Sequence, residues 1–340
     1  MKRRWTEEET QIWQKAHPWF LGVNYVTSDA VNSLEMWMDT TFHPRLIDQE
    51  LGTAAALGYN AVRVFLPYTV WDHERAVFEN NLERFLQIAD SHALSVLPVL
   101  FDDCAFDFGS EPVYGRQPSP VPGVHNSRWV PCPGFRVQDD PSLLSLCRAY
   151  VEAVVGGHRG DGRILAWDLY NEPGNTGRRE KCLPLLRAAF AWARALDPVQ
   201  PLTAGLWLFG GNEDVNRFQL ENSDVISLHA YTPLEETRRL ADSCRVGRRP
   251  LLITEWLHRP NGNTVETHLP YFWQEQISVW QWGMIVGKTQ TNLSWSTMNG
   301  GVPEPEPQIW QHDVIRADGT PYDIEELRLI RRYGDMARTR

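Results

Sequence analysis

The stretch Ile164-Leu-Ala-Trp-Asp-Leu-Tyr-Asn-Glu-Pro173 decides the fold, because an apolar run turns abruptly polar at its end. The run predicts a buried strand, and Pro173 prevents the strand ladder from continuing. Asn171 and Glu172 are therefore expected at the carboxyl end of that strand. In a chain of alternating strands and helices, this end is where a (β/α)8 barrel carries its catalytic residues.

A second strand of the same kind is Pro250-Leu-Leu-Ile-Thr-Glu-Trp256, which places Glu255 at the matching position. The separation of the two glutamates fits three further strand–helix units of about 25–30 residues each. Each glutamate alone could be a salt-bridged residue at the barrel rim. Two of them on matching strand ends favour catalysis, and a facing pair of carboxylates is the equipment of a glycosidase.

Composition and length favour one enzyme domain. The 340 residues, 42% of them apolar, can bury one large core, so we expect a single domain over residues 1–340. The formal charge of −10 argues against nucleic acid or an anionic membrane as a partner. Five scattered cysteines without a CxxC pair predict free thiols. No apolar segment suggests a signal peptide or a membrane span, so we expect a cytoplasmic protein.

The expected architecture is an α/β fold, a (β/α)8 TIM barrel, preceded by a short helix. Thr6 and Glu9 form a capping-box pattern, which predicts that this leading helix covers the barrel bottom or packs on an outer helix. A long proline-rich loop over 104–139 follows the third strand and is expected to build a site or a lid. The eight expected strands span 20–26, 61–66, 94–101, 164–170, 202–208, 225–229, 251–254 and 283–286.

Several polar residues are expected at strand ends beside the two glutamates. Arg63, on the second strand, could bind Glu255 and lower its pKa. The amide of Asn171 could hold the 2-hydroxyl of a sugar. His229 and Tyr231 end the sixth strand; a lone histidine is more often structural, but this position favours the active site.

Other candidates lie on neighbouring strand ends and loops. Asp102 and Asp103 close the third strand, where one could bind two sugar hydroxyls or merely cap the following loop. Trp282 is expected to start the eighth strand, where it could lie near the mouth or instead belong to the core. No phosphate-binding glycine loop, HExxH or nucleotide motif occurs, so no metal or cofactor is expected. The residues expected near the mouth after the eighth strand are Lys288, Gln290 and Trp295.

The motifs Trp-Asp-Leu-Tyr-Asn-Glu-Pro, Ile-Thr-Glu-Trp, Arg-Val and His-Ala-Tyr resemble those of the clan A glycoside hydrolases. The chain looks most like family 5 or bacterial relatives labelled cellulase-like or 1,4-β-xylanase, over nearly its whole length. The resemblance implies that Glu172 is the acid/base and Glu255 the nucleophile. It also implies supporting roles for four residues, namely Arg63, Asn171, His229 and Tyr231.

Three segments are more particular matches: 32–37, 123–129 and 287–291. Family 5 cellulases carry a histidine at the end of strand three, where this chain has the aspartate pair, and a tryptophan late on strand eight, where this chain places Lys288 and Gln290. Both departures favour tight recognition of a terminal sugar. The further substrate-binding candidates are Asn32, Glu35, Trp37, His125, Asn126, Trp129, Trp256, Lys288, Gln290 and Trp295.

The expected function is a retaining glycosidase that acts on chain ends or small glycosides, with loops 104–139 and 27–42 walling off the cleft. An endo-β-1,4-glycanase (cellulase, xylanase or mannanase) would share the glutamates but need an open groove. A non-catalytic sugar-binding barrel would keep the aromatic residues and lose a carboxylate. A lyase or aldolase would need a Schiff-base lysine or a metal cluster. The expected partner is a carbohydrate, and the oligomeric state is left open.

Overall fold

The computed structural model describes residues 3–106, 111–208 and 210–339. Eight parallel strands pair in chain order, and β8 pairs with β1 to close a barrel, which confirms the predicted (β/α)8 fold. The strands are β1 (Leu21–Asn24), β2 (Ala61–Phe65), β3 (Ser95–Asp102), β4 (Trp167–Asn171), β5 (Leu202–Leu206), β6 (Ile226–His229), β7 (Leu251–Trp256) and β8 (Ser278–Trp282).

The helices of the described residues surround this barrel. They are α1 (Glu7–Ala16), α2 (Ser33–Trp37), α3 (Pro44–Leu57), α4 (Tyr68–Ser91), α5 (Phe135–Asp139), α6 (Leu144–Gly157), α7 (Leu183–Ala195), α8 (Glu213–Asn222), α9 (Leu234–Ser243), α10 (Val265–Gln274) and α11 (Ile324–Arg338). None of the helices in the described part of the chain is long and apolar enough to cross a membrane.

The leading helix α1 closes the bottom of the barrel. The predicted capping box is present, since Thr6 and Glu9 bond each other's backbone N–H groups. Trp13 is buried and donates from Nε1 to the carbonyl of Leu165 at 3.2 Å. Beside it, Trp280 fills the space that a side chain at Gly22 would occupy, because a Cβ there would lie 2.2 Å from the indole. The amino-terminal end of the barrel is therefore filled by side chains.

The eighth strand differs from its prediction. It covers Ser278–Trp282 rather than 283–286, because Gly283 has a φ of +75° and ends the strand. The apolar residues that follow leave the barrel, and Ile285 pairs instead with Ile315. Trp282 consequently ends β8 at the barrel mouth rather than starting it in the core.

The loop over 104–139 returns to the strand that it follows. Asp102 and Cys132 exchange two backbone hydrogen bonds of 2.8 Å, so the far part of the loop is fastened to the end of β3. The loop contains the short helix α5, and its residues 107–110 lie outside the described residues. This attachment holds the loop over the carboxyl ends of the strands.

Candidate active site

The structure brings Glu172 and Glu255 together at the carboxyl ends of β4 and β7. Nδ1 of His229 lies 2.5 Å from Oε1 of Glu172 and 3.3 Å from Oε2 of Glu255. One oxygen of each carboxylate and one nitrogen of His229 all lie within 4.8 Å of one another. Both glutamates are buried, with 4% and 6% of their surface exposed. The predicted pair thus faces one small space.

Glu172 adopts an unusual backbone conformation. Its φ is +44°, which is uncommon for a residue with a side chain, and the pairing of β4 with β5 shifts register just before it. Its N–H still bonds the carbonyl of Gly205 at 3.1 Å. Oε2 accepts a hydrogen bond of 2.6 Å from Nδ2 of Asn175. Burial raises the pKa of Glu172 to about 7, against the opposing effect of Asn175, which suits a general acid at neutral pH.

Glu255 is held by two of its predicted partners. Oε1 accepts from Nη1 of Arg63 and Oε2 from the hydroxyl of Tyr231, each at 2.8 Å. As predicted, Arg63 binds this carboxyl and acts to lower its pKa, but its effect does not outweigh burial. Burial raises the pKa of Glu255 above its ordinary value, although His229, Arg63 and Tyr231 all oppose the rise.

Arg63 is fully buried and uses its whole guanidinium. Besides Glu255, it donates to Oδ1 of Asn24 at 2.7 Å and to Oδ1 of Asn171 at 2.6 Å. Nε and Nη2 both donate to Oδ2 of Asp168, at 3.0 and 2.8 Å. Asp168 was not among the predicted site residues, although a single carboxylate inside an otherwise apolar strand is a signal in the sequence.

His229 is held as a neutral imidazole between the two glutamates. Burial lowers its pKa to about 4. Nδ1 donates to Glu172 when that carboxyl is ionised, and accepts from it when the carboxyl is protonated. Its Nε2 is buried and has no hydrogen-bond partner among the described residues. Gly205 makes room for the ring, since a Cβ at that position would lie 3.0 Å from Nε2.

A cavity of about 240 Å³ opens in front of the two glutamates. This volume is close to the lower end for ligand sites, which is roughly 300 Å³. Aromatic rings present flat apolar faces on which sugar rings stack. Those that line the cavity are Phe106, Trp129, Trp207, Tyr231, Trp282 and Trp295.

Trp282 corrects one of the sequence interpretations. It ends β8 and packs edge-on against Phe65 and Trp129, with ring centroids 5.7 and 5.6 Å apart. The chain therefore does have a tryptophan late on strand eight, and Lys288 and Gln290 do not replace it. Trp207 and Phe106 also line the cavity and were not among the predicted residues.

The aspartate pair splits between two environments. Asp102 bonds Asn171 and Trp129 of the site, each at 2.8 Å. Asp103 faces away from the cavity and accepts from the hydroxyl of Tyr170 at 2.7 Å and from the N–H of Gly174 at 2.7 Å. Neither residue merely caps the loop.

The segment predicted from 123–129 reaches the site in part. His125 and Trp129 line the cavity. Asn126 is buried and its N–H bonds the carbonyl of Thr289 at 2.7 Å, which joins this loop to the one after β8. Gln290 supports the same junction, because its Nε2 donates to the carbonyls of two residues in the 121–124 turn at 2.8 and 3.0 Å.

Five other candidates do not line this cavity. Lys288 and Glu35 form an ion pair of 3.3 Å, and Asn32 caps α2 through its side chain. Trp37 lies fully buried against Phe78 and Phe85 in the core between barrel and helices. Trp256 is likewise buried, and packs on Phe272. The expectation that the two tryptophans contact substrate is wrong, since Trp37 is buried against α4 and Trp256 against α10.

Glu172, His229 and Glu255 are also of the residue types that bind metals. Their facing atoms, however, already bond one another, and these hydrogen bonds would have to break before an ion could enter. The absence of a metal requirement stays a prediction.

The overall fold is similar to that of solved glycoside hydrolases. GH5_18 from Streptomyces cattleya, in complex with GlcNAc, has a TM-score of 0.66 at 14% identity, over 95% of this chain and 81% of that one. The exo-β-1,4-mannosidase Op5Man5 from Opitutaceae bacterium strain TAV5 has a TM-score of 0.61 at 17% identity, over 93% and 60%.

The endo-1,4-β-mannanase from Rhizomucor miehei has a TM-score of 0.60 at 11% identity, over 95% of this chain and 100% of that one. No protein-family profile and no curated protein sequence matches the chain. The chain thus has a closed (β/α)8 barrel whose fold is similar to that of these solved structures.

Proposed function

We propose that the protein is a retaining glycoside hydrolase similar to those of family 5. The observation that carries the proposal is the short separation of Glu172 and Glu255, which both contact one nitrogen of His229. Carboxyl groups about 5–5.5 Å apart suit retention, whereas inversion needs about 6.5–9.5 Å to admit a water. One oxygen of each carboxylate lies within 4.8 Å of the other, which favours retention.

Glu255 is the nucleophile in this proposal. Its carboxylate attacks the anomeric carbon while Glu172 protonates the leaving oxygen, and a glycosyl ester forms on Glu255. Arg63 and Tyr231 each donate to one oxygen of Glu255, which favours the ionised form needed for attack. Glu172 then removes a proton from water, which attacks the ester and releases the sugar with its original anomeric configuration.

Action on chain ends or small glycosides is the second part of the proposal. The cavity is small and is walled by residues 104–106 of the long loop and 295–299 of the loop after β8. An endo-acting enzyme needs an open groove across the barrel. Because similar structures are named mannosidases and mannanases, β-mannosides are the first substrates to examine.

The test is turnover on a panel of aryl glycosides, covering β-mannosides, β-glucosides, N-acetylglucosaminides, α-glycosides and furanosides. The wild type is compared with Glu172→Gln and Glu255→Gln, and with Glu50→Gln, which changes a buried carboxylate outside the cavity. Turnover that both site variants lose and Glu50→Gln keeps would support the catalytic pair. Equal turnover in the wild type and Glu255→Gln would refute it.

The stereochemistry and the mode of action are measured separately. Proton NMR of the first-formed sugar should show retained anomeric configuration, and a 2-fluoro glycoside should label the peptide that contains Glu255. An inverted product would overturn the mechanism. Release of single sugars from the ends of oligosaccharides would support exo-action, whereas a fast fall in polysaccharide viscosity would favour an endo-acting enzyme.

A further inference from the structure

Asp102 accepts three hydrogen bonds in a buried position at the end of β3. Oδ1 accepts from Nδ2 of Asn171 and from the N–H of Cys104, and Oδ2 accepts from Nε1 of Trp129, all at 2.8 Å. The residue is only 2% exposed. Two of its three donors thus belong to side chains of the candidate active site.

The direction of these bonds follows from the chemistry of the partners. Nη2 of Arg63 lies 2.6 Å from Oδ1 of Asn171, and a guanidinium can only donate. The amide oxygen of Asn171 must therefore face Arg63, and its nitrogen must face Asp102. One N–H of the amide is used in this bond, and the second makes no hydrogen bond to Asp102.

The second oxygen of Asp102, Oδ2, binds Trp129, which is part of the cavity wall. Trp129 is buried and packs edge-on against Phe65 and Trp282, with centroid distances of 5.0 and 5.6 Å. An indole nitrogen can only donate, so its orientation depends on an acceptor at this place. Asp102 is that acceptor, and it joins the aromatic wall to the amide beside Glu172.

We propose that Asp102 is a positioning residue that holds the amide of Asn171 and the indole of Trp129 in a fixed orientation relative to each other. This orientation allows the site to recognise a sugar that carries a free 2-hydroxyl. This inference rests on the proposed glycosidase function. Asp102 does not contact the reacting atoms and acts through its two partners. A carboxylate suits this position because all three neighbours donate.

Asp103 provides a matched control on the same strand end. It is equally buried and also accepts three hydrogen bonds, from Tyr170, Gln138 and the N–H of Gly174. None of these donors lines the cavity. Asp103→Asn therefore removes a buried charge of the same kind without touching the connection between Asn171 and Trp129.

Two substitutions of Asp102 separate the effect of its hydrogen bond to Asn171 from that of its hydrogen bond to Trp129. In Asp102→Asn the new amide oxygen can still accept from Asn171 and Cys104, and its nitrogen then opposes the N–H of Trp129. This variant should behave like Trp129→Phe, and the double variant should add little to either one. Asp102→Leu introduces a side chain of similar size and removes the hydrogen bonds to both Asn171 and Trp129.

The kinetic readout is the ratio of kcat/KM for an aryl glycoside to kcat/KM for its 2-deoxy analogue. We expect Asp102→Leu to lower this ratio about tenfold, because one hydrogen bond to the sugar loses its support. Asp102→Asn, Trp129→Phe and Asp103→Asn should change the ratio less than about twofold. A ratio unchanged in folded Asp102→Leu, or lowered equally in Asp103→Asn, would overturn the role of Asp102.

A second readout needs no turnover. In nitrogen-15 spectra, the indole signal of Trp129 should move in both Asp102 variants, and the side-chain amide signal of Asn171 should move strongly only in Asp102→Leu. Neither should move in Asp103→Asn. Unmoved signals in the Asp102 variants would refute the positioning role. Absence of any glycoside turnover in the wild type would instead refute the proposed function, and the spectra would still decide on Asp102.

Discussion

Arg63 donates from Nε and Nη2 to the same oxygen of Asp168, at 3.0 and 2.8 Å, and this pairing fixes the guanidinium plane. Both side chains are fully buried. With the plane fixed, the remaining N–H groups point at Glu255, Asn24 and Asn171. The geometry of the nucleophile thus depends on a carboxylate that does not face the cavity.

Replacement of Arg63 by lysine should strongly destabilise the protein and abolish turnover, although the charge is kept. An ammonium has three donors and no fork, so at least two of the five hydrogen bonds are lost and at least one of the four buried acceptors is left without a partner. We expect unfolding free energy to fall by about 3–5 kcal/mol in denaturant titration, together with loss of turnover. Arg163→Lys is the control, because Arg163 also bonds two carboxylates but is partly exposed. Its cost should stay below about 1 kcal/mol, and equal costs for the two variants would contradict the argument.

The fall of kcat/KM at alkaline pH should result from the ionisation of Glu172. A general acid must be protonated, and burial raises the pKa of this group to about 7. Turnover of glycosides with poor leaving groups should therefore fall as pH rises through about 7. In Glu172→Gln the residual rate on a highly activated aryl glycoside should lack this limb. An alkaline limb that persists in the variant would assign it to another group.

The same burial makes the stability of the protein pH-dependent. The folded pKa of Glu172 is about 7 against 4.5 for the free side chain. The stability that this group contributes to the folded state is therefore fully present below pH 4.5 and is lost as pH rises through 7. Glu172→Gln should thus be more stable than the wild type at pH 8, by up to about 3 kcal/mol. Thermal unfolding at pH 4 and pH 8 tests the sign. An advantage that is larger at pH 4 would contradict it.

Gly205 should be needed for activity although it performs no chemistry. A Cβ there would lie 3.0 Å from Nε2 and 3.4 Å from Cε1 of His229, so in Gly205→Ala the imidazole must shift by a few tenths of an ångström. A small displacement at a reacting centre lowers the rate, here by about 10- to 100-fold in kcat.

Gly156→Ala is the control for that substitution. Its Cβ would meet Leu196 at 3.6 Å, an ordinary contact, and alanine favours the helix α6. This variant should keep wild-type kcat and gain up to about 1 kcal/mol of stability. Equal activity of the two alanine variants would show that the position of His229 does not depend on Gly205.

The sequence by itself determined the barrel and the centre of the site. Apolar runs that turn polar at their ends mark the strands, and the carboxyl ends of parallel strands meet at one mouth. Glu172, Glu255, Arg63, His229 and Tyr231 could be named because each of them stands at such an end or within such a strand. The structure places all five within one hydrogen-bonded group.

Only the tertiary structure decided which side chains face the cavity. Side chains three residues apart on a regular strand point to opposite faces, yet Asp168 and Asn171 both bond Arg63. The register shift between them makes this possible, and a bulge of this kind leaves no clear signal in the sequence.

The end of β8 was likewise a tertiary matter. Segments 278–282 and 283–286 are both apolar enough to form the strand. The turn at Gly283 ends the strand after the first of them, and Trp282 therefore lies in the cavity wall. Trp37 and Trp256 are buried against surrounding helices rather than in the site, although both carry the right kind of side chain. Residue type and spacing thus identify the catalytic pair, whereas strand register and facing direction depend on contacts between segments far apart in the chain.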